Sequence, residues 1–531
     1  MKNKKLKYTV VAILLAIISF SSCTDVWDSH YNSNGMLNKS TLNLYQYMKT
    51  QPELTTFCQM VKVAGYDSIL SKPQTYTVWA PVNTALQSIN MTDTAYITEI
   101  VKNHISRFSY PTSGISTKII YMLDKKFISF RKGDTGFSFG GKALLADKSN
   151  VAASNGILHM IDGYVPYMTN IWEFIGSAPG LDSLRAYLYS QSVYQFDPKA
   201  SVEIGTNSHG QSVYDSVITF SNPVLEKIGY LHVEDSTYTA LLPNNTAWVK
   251  AYNQIKSNYK MLGAGGPAQQ RLNTQWAVVK NLIFRTQVTT PSSFDSLMSS
   301  TGSIFHQPAY LFDGATKNEL SNGLVYVTDS IRFKAAESYQ QKIQVEAENS
   351  SYGRSFLYAN LYVRSSLGTT FSLQVSNNKY LVVEPTTVSN TTQNYATFPI
   401  PNTLSGKYKV YCVFAPSSIV IPTDIRQYKV KFYFSYLDAT GKQITDATIN
   451  ASNVIVPTVG SISAIFTSNA SQITKMYVTQ ITFPYCNLYN DNSTLASITT
   501  KLRVENAVKI TETVKFDRTM RIDYLVLEPV Q

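Results

Sequence analysis

Tyr76-Thr-Val-Trp-Ala-Pro-Val-Asn-Thr-Ala-Leu86 is followed by Val101-Lys-Asn-His-Ile105, and then by Asn155-Gly-Ile-Leu-His-Met-Ile-Asp-Gly-Tyr164. The three phrases return in the same order as Tyr238-Thr-Ala-Leu-Leu-Pro-Asn-Asn-Thr-Ala-Trp248, Val279-Lys-Asn-Leu-Ile283 and Asn322-Gly-Leu-Val-Tyr-Val-Thr-Asp-Ser-Ile331. Ordered repetition at long period marks duplicated modules. The offset is 162 from Pro81 to Pro243, 178 from Val101 to Val279 and 167 from Asn155 to Asn322. The second copy therefore carries about sixteen more residues after its first phrase, and the glycine-rich Leu262-Gly-Ala-Gly-Gly-Pro267 is the expected insertion loop.

Working outward, Ser40 is placed to cap a first helix, and a helix opening at Pro52 stops at Gly65. Thr75–Ala80 reads as a strand, and Asn83 or Thr84 can cap a short helix after Pro81. Arg131-Lys-Gly-Asp134 and Phe139-Gly-Gly-Lys142 are hairpin signals. Helices mixed with local hairpins indicate an α+β unit rather than a parallel α/β one. From about Val345 the texture changes. Tyr408, Val410, Cys412 and Phe414 share one face with Lys407 and Lys409 on the other, and Tyr428, Val430, Phe432, Phe434 and Tyr436 share one face with Lys429 and Lys431 opposite. Period-two alternation predicts antiparallel strands with one wet face, in a single sandwich or jelly roll.

The first and third phrases resemble the two signature boxes of the fasciclin-like adhesion domain, and the middle phrase resembles that family's helix ending in a tyrosine- or asparagine-histidine pair. The resemblance covers roughly residues 38–333 and is closer in the first copy. In the second, Leu282 replaces the histidine, Leu242 the alanine before proline and Ser330 the glycine after aspartate. It implies two fasciclin-like domains, helices packed on a wedge of β-strands, at 38–168 and 169–333, with the β-sandwich at 334–531. Asn103 and His104 are adhesion candidates by that resemblance. The plainer reading makes His104 a core residue, since it follows Ile97, Ile100 and Val101 on one helical face and its counterpart is leucine. His159, matched by Tyr326, reads the same way.

The sandwich opens on Gln344-Val-Glu-Ala-Glu348 and closes on Arg521-Ile-Asp-Tyr-Leu-Val-Leu-Glu-Pro529. These edges resemble carbohydrate-binding jelly rolls, in which such carboxylates hold a structural calcium. The resemblance makes Glu346, Glu348 and Asp523 calcium candidates; a charged edge strand is the alternative. No other cofactor is implied.

The N-terminus has the make-up of an export signal: Lys2, Lys4, Lys5 and Lys7, then an apolar run from Tyr8 to Phe20, too short to span a bilayer. It ends Phe20-Ser-Ser-Cys23, which resembles a bacterial lipobox, so residues 1–22 are the expected lipoprotein signal peptide, Cys23 the lipidation site and 23–37 a tether. Thr24 after the cysteine resembles outer-membrane sorting, giving a lipid-anchored outer-membrane protein facing outward. Removing residues 1–22 lowers the formal net charge from +11 to +7 over 509 residues, and the remaining cations are scattered, which argues against nucleic acid.

Cys58 shares a helical face with Leu54, Phe57 and Val61 and reads as a buried apolar residue. Cys412 and Cys486 share the last domain and are a candidate disulfide. Asp followed by Ser or Thr recurs and resembles an O-glycosylation signal of Gram-negative gut bacteria, with Ser68, Thr94, Ser183, Ser216, Ser296 and Ser330 as acceptors; turn and cap chemistry is the plainer reading. No nucleophile elbow or phosphate loop occurs in the sequence. The expected function is non-catalytic adhesion or capture of a glycan or protein ligand. An accessory subunit of an outer-membrane nutrient importer and an enzyme acting on glycans or peptides are the alternatives.

Overall fold

The computed structural model describes residues 38–206, 212–215, 218–387, 389, 392–458, 461–489 and 493–530. The signal peptide, the tether, Cys23 and Ser216 lie outside them. The fold is α+β. Two compact units are present: one runs to Phe174 and includes Leu231–Thr237 and Leu320–Asn322, and the other comprises Ile175–Tyr230, Tyr238–Glu319 and the chain from Gly323.

In the first unit, the strand Tyr76–Pro81 is buried along its whole length and pairs in parallel with Gly156–Ile161 and antiparallel with Ile105–Arg107. Val151–Ala153 and Asn38–Lys39 complete a five-stranded sheet. A second sheet of four antiparallel strands starts at Thr117–Tyr121 and ends at Lys142–Ala143. The helices Thr55–Val63 and Thr94–Asn103 bury Phe57, Met60, Ile97, Ile100 and Val101 against the first sheet. Trp79 turns the other way and stacks on Phe139 at 4.3 Å between ring centroids. The first helix starts later than expected. Asn43, not Ser40, caps Leu44–Lys49, because Asn43 and Gln46 form a reciprocal capping box.

The Asn-Gly pair of the third phrase has a physical cause. Asn155 accepts the Leu44 N–H at 2.8 Å and donates to the carbonyls of Leu70 and Lys72 at 2.8 and 2.7 Å, so one amide side chain ties three segments together. Gly156 sits at φ +155°, where an added Cβ would lie 2.0 Å from the Tyr76 carbonyl oxygen; only glycine lets the strands approach so closely. Asn322 likewise accepts the Ile171 N–H at 2.9 Å and donates to the carbonyls of Leu231 and Val233.

In the second unit, Tyr238–Pro243 pairs in parallel with Gly323–Thr328 in the register that Tyr76–Pro81 has with Gly156–Ile161, and antiparallel with Ile283–Phe284. Thr239 Oγ1 donates to Thr286 O and accepts Val288 N–H, as Thr77 Oγ1 does with Phe108 and Tyr110. Residues 262–265 of the expected insertion loop are non-helical. Gly266 and Pro267 begin a helix, Gly266–Val279, of 14 residues against 10 in Thr94–Asn103.

The sandwich has the expected alternation. Tyr408, Val410, Cys412, Phe414, Tyr428, Val430, Phe432 and Phe434 all lie in its buried core. Its opening and closing motifs pair, Ile343–Glu346 running antiparallel to Met520–Pro529. Among the described residues one sheet has six strands and the other seven. The expected boundary near residue 333 falls inside the second unit. Ser405 N–H donates to Asn258 O at 2.8 Å and Cys486 N–H to Lys260 O at 2.8 Å, so the end of the 3₁₀ helix Lys256–Tyr259 is bonded to the sandwich.

Candidate functional site

His104 closes the helix Thr94–Asn103. Its Nε2 accepts the Val165 N–H at 3.0 Å, so Nδ1 carries the proton and donates to Ile100 O at 2.7 Å. Burial pushes its pKa down to about 4, and the ring is neutral at pH 7. Asn103 is also buried and donates to Val165 O at 3.1 Å. Neither side chain presents surface to a partner, so the adhesion role for Asn103 and His104 gives way to a packing role. His159 is fully buried too; it accepts the Asn150 N–H and donates to Tyr110 O, while Tyr326 Oη donates to Val288 O, whose residue stands to Thr239 as Tyr110 stands to Thr77.

Asn83 does not cap its own helix. It accepts the Thr56 N–H at 2.9 Å and donates to Pro52 O, which fixes the start of the helix Thr55–Val63. Asn245 accepts the Ser183 N–H at 2.9 Å in the same manner. A buried ion network also escaped the sequence. Lys126 Nζ lies 2.9 Å from Glu173 and 2.5 Å from Glu234, and Tyr167 Oη donates to Glu173 at 2.9 Å.

Cys412 and Cys486 do not pair. Both thiols are free: Cys412 points into the sandwich core, while Cys486 packs against Met261 with its sulfur 2.9 Å from the thioether. Burial raises both thiol pKa values, that of Cys486 to about 12. Cys58 is buried as expected, with its thiol pushed up to about 11. Of the acceptors read as O-glycosylation sites, Ser68, Thr94 and Ser296 are exposed, and Ser183 and Ser330 are half-buried. Asp93 caps the helix that begins at Thr94, so cap chemistry accounts for that pair.

At the pairing of the sandwich's two edges, Glu346, Glu348 and Asp523 converge on the turn Ser376-Asn377-Asn378. Ser376 N–H donates to both Asp523 oxygens at 3.1 and 3.3 Å, and its hydroxyl donates to Glu346 Oε1 at 2.8 Å. Burial, then Glu346 and Glu348, push the Asp523 carboxyl up to about 7 against the lowering effect of Ser376. Glu346 Oε2 and Glu348 Oε2 are buried without a hydrogen-bond partner. Among the described residues no group of three or more His, Cys, Asp or Glu side chains closes round one point as metal ligands. Ser376 occupies the space between Glu346 and Asp523. Two orphaned carboxylate oxygens beside a fully buried aspartate are nevertheless the donor chemistry of a hard cation.

In the second unit a cleft of about 660 Å³ opens between the helices Pro223–Ile228 and Gly266–Val279 on one side and the sandwich on the other. Lys227, Trp276 and Lys280 line one wall, and Lys342, Asn402 and Tyr489 the other. Lys227 Nζ stands 5.5 Å from the centroid of the Trp276 ring. These residues come from the helices Pro223–Ile228 and Gly266–Val279, the link into the sandwich and two of its loops.

Residues 52–165 match the family described as Fasciclin domain. No curated protein matches the chain. Among solved structures, the domain pair of the insect cell adhesion molecule fasciclin I is similar at 13% identity, covering 54% of this chain and 98% of its own, with a TM-score of 0.21. A xylan-binding domain of carbohydrate-binding module family 22 is similar at 17% identity over 35% of this chain and 92% of its own, with a TM-score of 0.19. A family 35 carbohydrate-binding module from Clostridium thermocellum is similar at 10% identity over 36% of this chain and 99% of its own, with a TM-score of 0.17.

Proposed function

We propose that this protein is a non-catalytic surface lipoprotein that captures a glycan or protein ligand. The observation that carries the reading is the match of residues 52–165 to the Fasciclin domain, whose resemblance is to adhesion modules. Two tandem copies are part of the proposal, supported by the shared register of the paired parallel strands and by Asn155 and Asn322, each of which ties one N–H and two carbonyls. Cys23 is the lipidated residue, and the anchor holds the chain at the outer membrane, facing outward. Glu346, Glu348 and Asp523 would hold a calcium ion, which would brace the edge of the sandwich and take no part in chemistry. Ser68, Thr94 and Ser296 present exposed acceptors for O-glycosylation.

The test is saturable binding of the mature chain to a panel of polysaccharides and surface proteins, together with mass spectrometry of Cys23 from native membranes. Saturable affinity without turnover supports capture. Co-purification with a porin-like importer and no affinity for any ligand replaces capture with the accessory role. Turnover lost on mutating a carboxylate pair overturns the non-catalytic reading, and an unacylated Cys23 overturns the anchor.

A further inference from the structure

The cleft of the second unit combines two features that neither the repeat nor the sandwich explains. Its charged wall residues are Lys227, Lys280 and Lys342, and none of the three forms an ion pair among the described residues. Lys280 follows the last turn of the helix Gly266–Val279, where the helix dipole favours a cation. That accounts for a lysine, but not for its burial, which pushes its pKa down with no carboxylate nearby to offset the effect. A half-buried cation without a counter-ion is a cost that an incoming anion removes. Walls of one sign around a cleft also concentrate counter-charge within it.

The second feature is aromatic and amide lining. Trp276 and Tyr489 line the cleft with aromatic rings, and Asn273 and Asn402 add amides whose oxygens already accept from Gln269 Nε2 and the Tyr489 N–H, leaving their NH2 groups to donate. Ring faces pack against the C–H faces of sugars, and amides pair with vicinal hydroxyls. We propose that this cleft binds an anionic polysaccharide, with its sugar faces on Trp276 and Tyr489 and its acidic groups on Lys227, Lys280 and Lys342. The inference rests on the capture reading above and adds to it the site and the ligand class.

The experiment is calorimetric titration of the mature chain with polygalacturonate (carboxylated), chondroitin sulfate (sulfated and carboxylated), and neutral xylan and glucomannan. At least one polyanion binds, its affinity falls as salt rises, and the neutral chains bind more weakly. Lys280→Gln and Lys342→Gln each weaken binding roughly tenfold, the size of one charge-assisted hydrogen bond. Lys280→Arg retains most of the affinity. Lys62→Gln, at an exposed position on a helix of the first unit, leaves it unchanged. Binding to polygalacturonate identifies the acidic group as a carboxylate, and binding to chondroitin sulfate alone identifies it as a sulfate. Equal losses for Lys62→Gln and Lys280→Gln mean diffuse attraction and overturn the site. Tight binding of a neutral glycan, indifferent to the lysine variants, overturns the anionic ligand and leaves capture intact. Binding to none of the glycans removes the inference, and the capture reading falls with it only if surface proteins also fail to bind.

Discussion

Replacing His104 with leucine, the residue that stands at its counterpart Leu282, separates a packing histidine from any other kind. At pH 7 the variant leaves the Ile100 carbonyl and the Val165 N–H without the imidazole, a cost of about 1–3 kcal/mol. The wild-type ring also carries a pH dependence that the variant lacks. An unfolded histidine ionises near 6.5, whereas the folded one does so at about 4. The folded state therefore binds fewer protons between those values. The stabilising contribution is complete above 6.5 and is lost as pH falls towards 4. Between pH 7 and pH 5 the loss is about 2 kcal/mol. His159, also held near 4, has the same sign, whereas Asp124, raised to about 7 mainly by burial, has the opposite one. Both cancel in the difference between wild type and variant. Hydrogen exchange of Tyr76–Pro81 and Gly156–Ile161 in a urea series, corrected for intrinsic rates, reports the stability of this unit alone. The gap should shrink by about 2 kcal/mol from pH 7 to pH 5. A gap constant across that range would refute the buried, neutral imidazole.

Gly156→Ala should cost more than about 3 kcal/mol, because the new Cβ meets backbone that cannot give way; protection of the same strands measures it, and an unaffected variant contradicts the close approach. Lys126→Met should destabilise the first unit by about 3 kcal/mol by leaving the buried Glu234 carboxylate without its cation, and adding Glu234→Gln should recover part of that loss in thermal unfolding. Calcium should raise the unfolding midpoint of the sandwich more than magnesium does, and Glu348→Gln should abolish the shift. Cys58, Cys412 and Cys486 should resist alkylation in the native protein and take up three equivalents of reagent after denaturation without prior reduction; one equivalent without reductant and three with it would restore the disulfide.

The parts of the fold legible in the sequence are those written locally. Asn-Gly pairs recur because one amide must reach two other segments and no Cβ fits behind it. The sandwich strands show through the alternation of Tyr408 to Phe414 because each has one face in the core. Asn83 looked like a cap because its real partners, Thr56 and Pro52, lie 27 and 31 residues away. Cys412 and Cys486 looked like a pair because spacing says nothing about which way a side chain points. The cleft left no signature at all: Lys227, Trp276, Lys342 and Tyr489 come from four separate segments and meet only in the folded chain.

A module hung from its neighbour by one strand of polypeptide can swivel; one pinned at a second point cannot. In the second unit, the part built on the strand Tyr238–Pro243 reaches the sandwich both through the chain after residue 333 and through the end of the 3₁₀ helix Lys256–Tyr259, where the Asn258 and Lys260 carbonyls are bonded to Ser405 and Cys486. That double hitch joins the two walls of the cleft by a covalent link and by two backbone hydrogen bonds within one compact unit. A second tie already made lessens the ordering that a ligand entering between those walls must supply. Cutting the second pin while leaving the covalent one would produce a molecule with every wall residue intact and a looser grip.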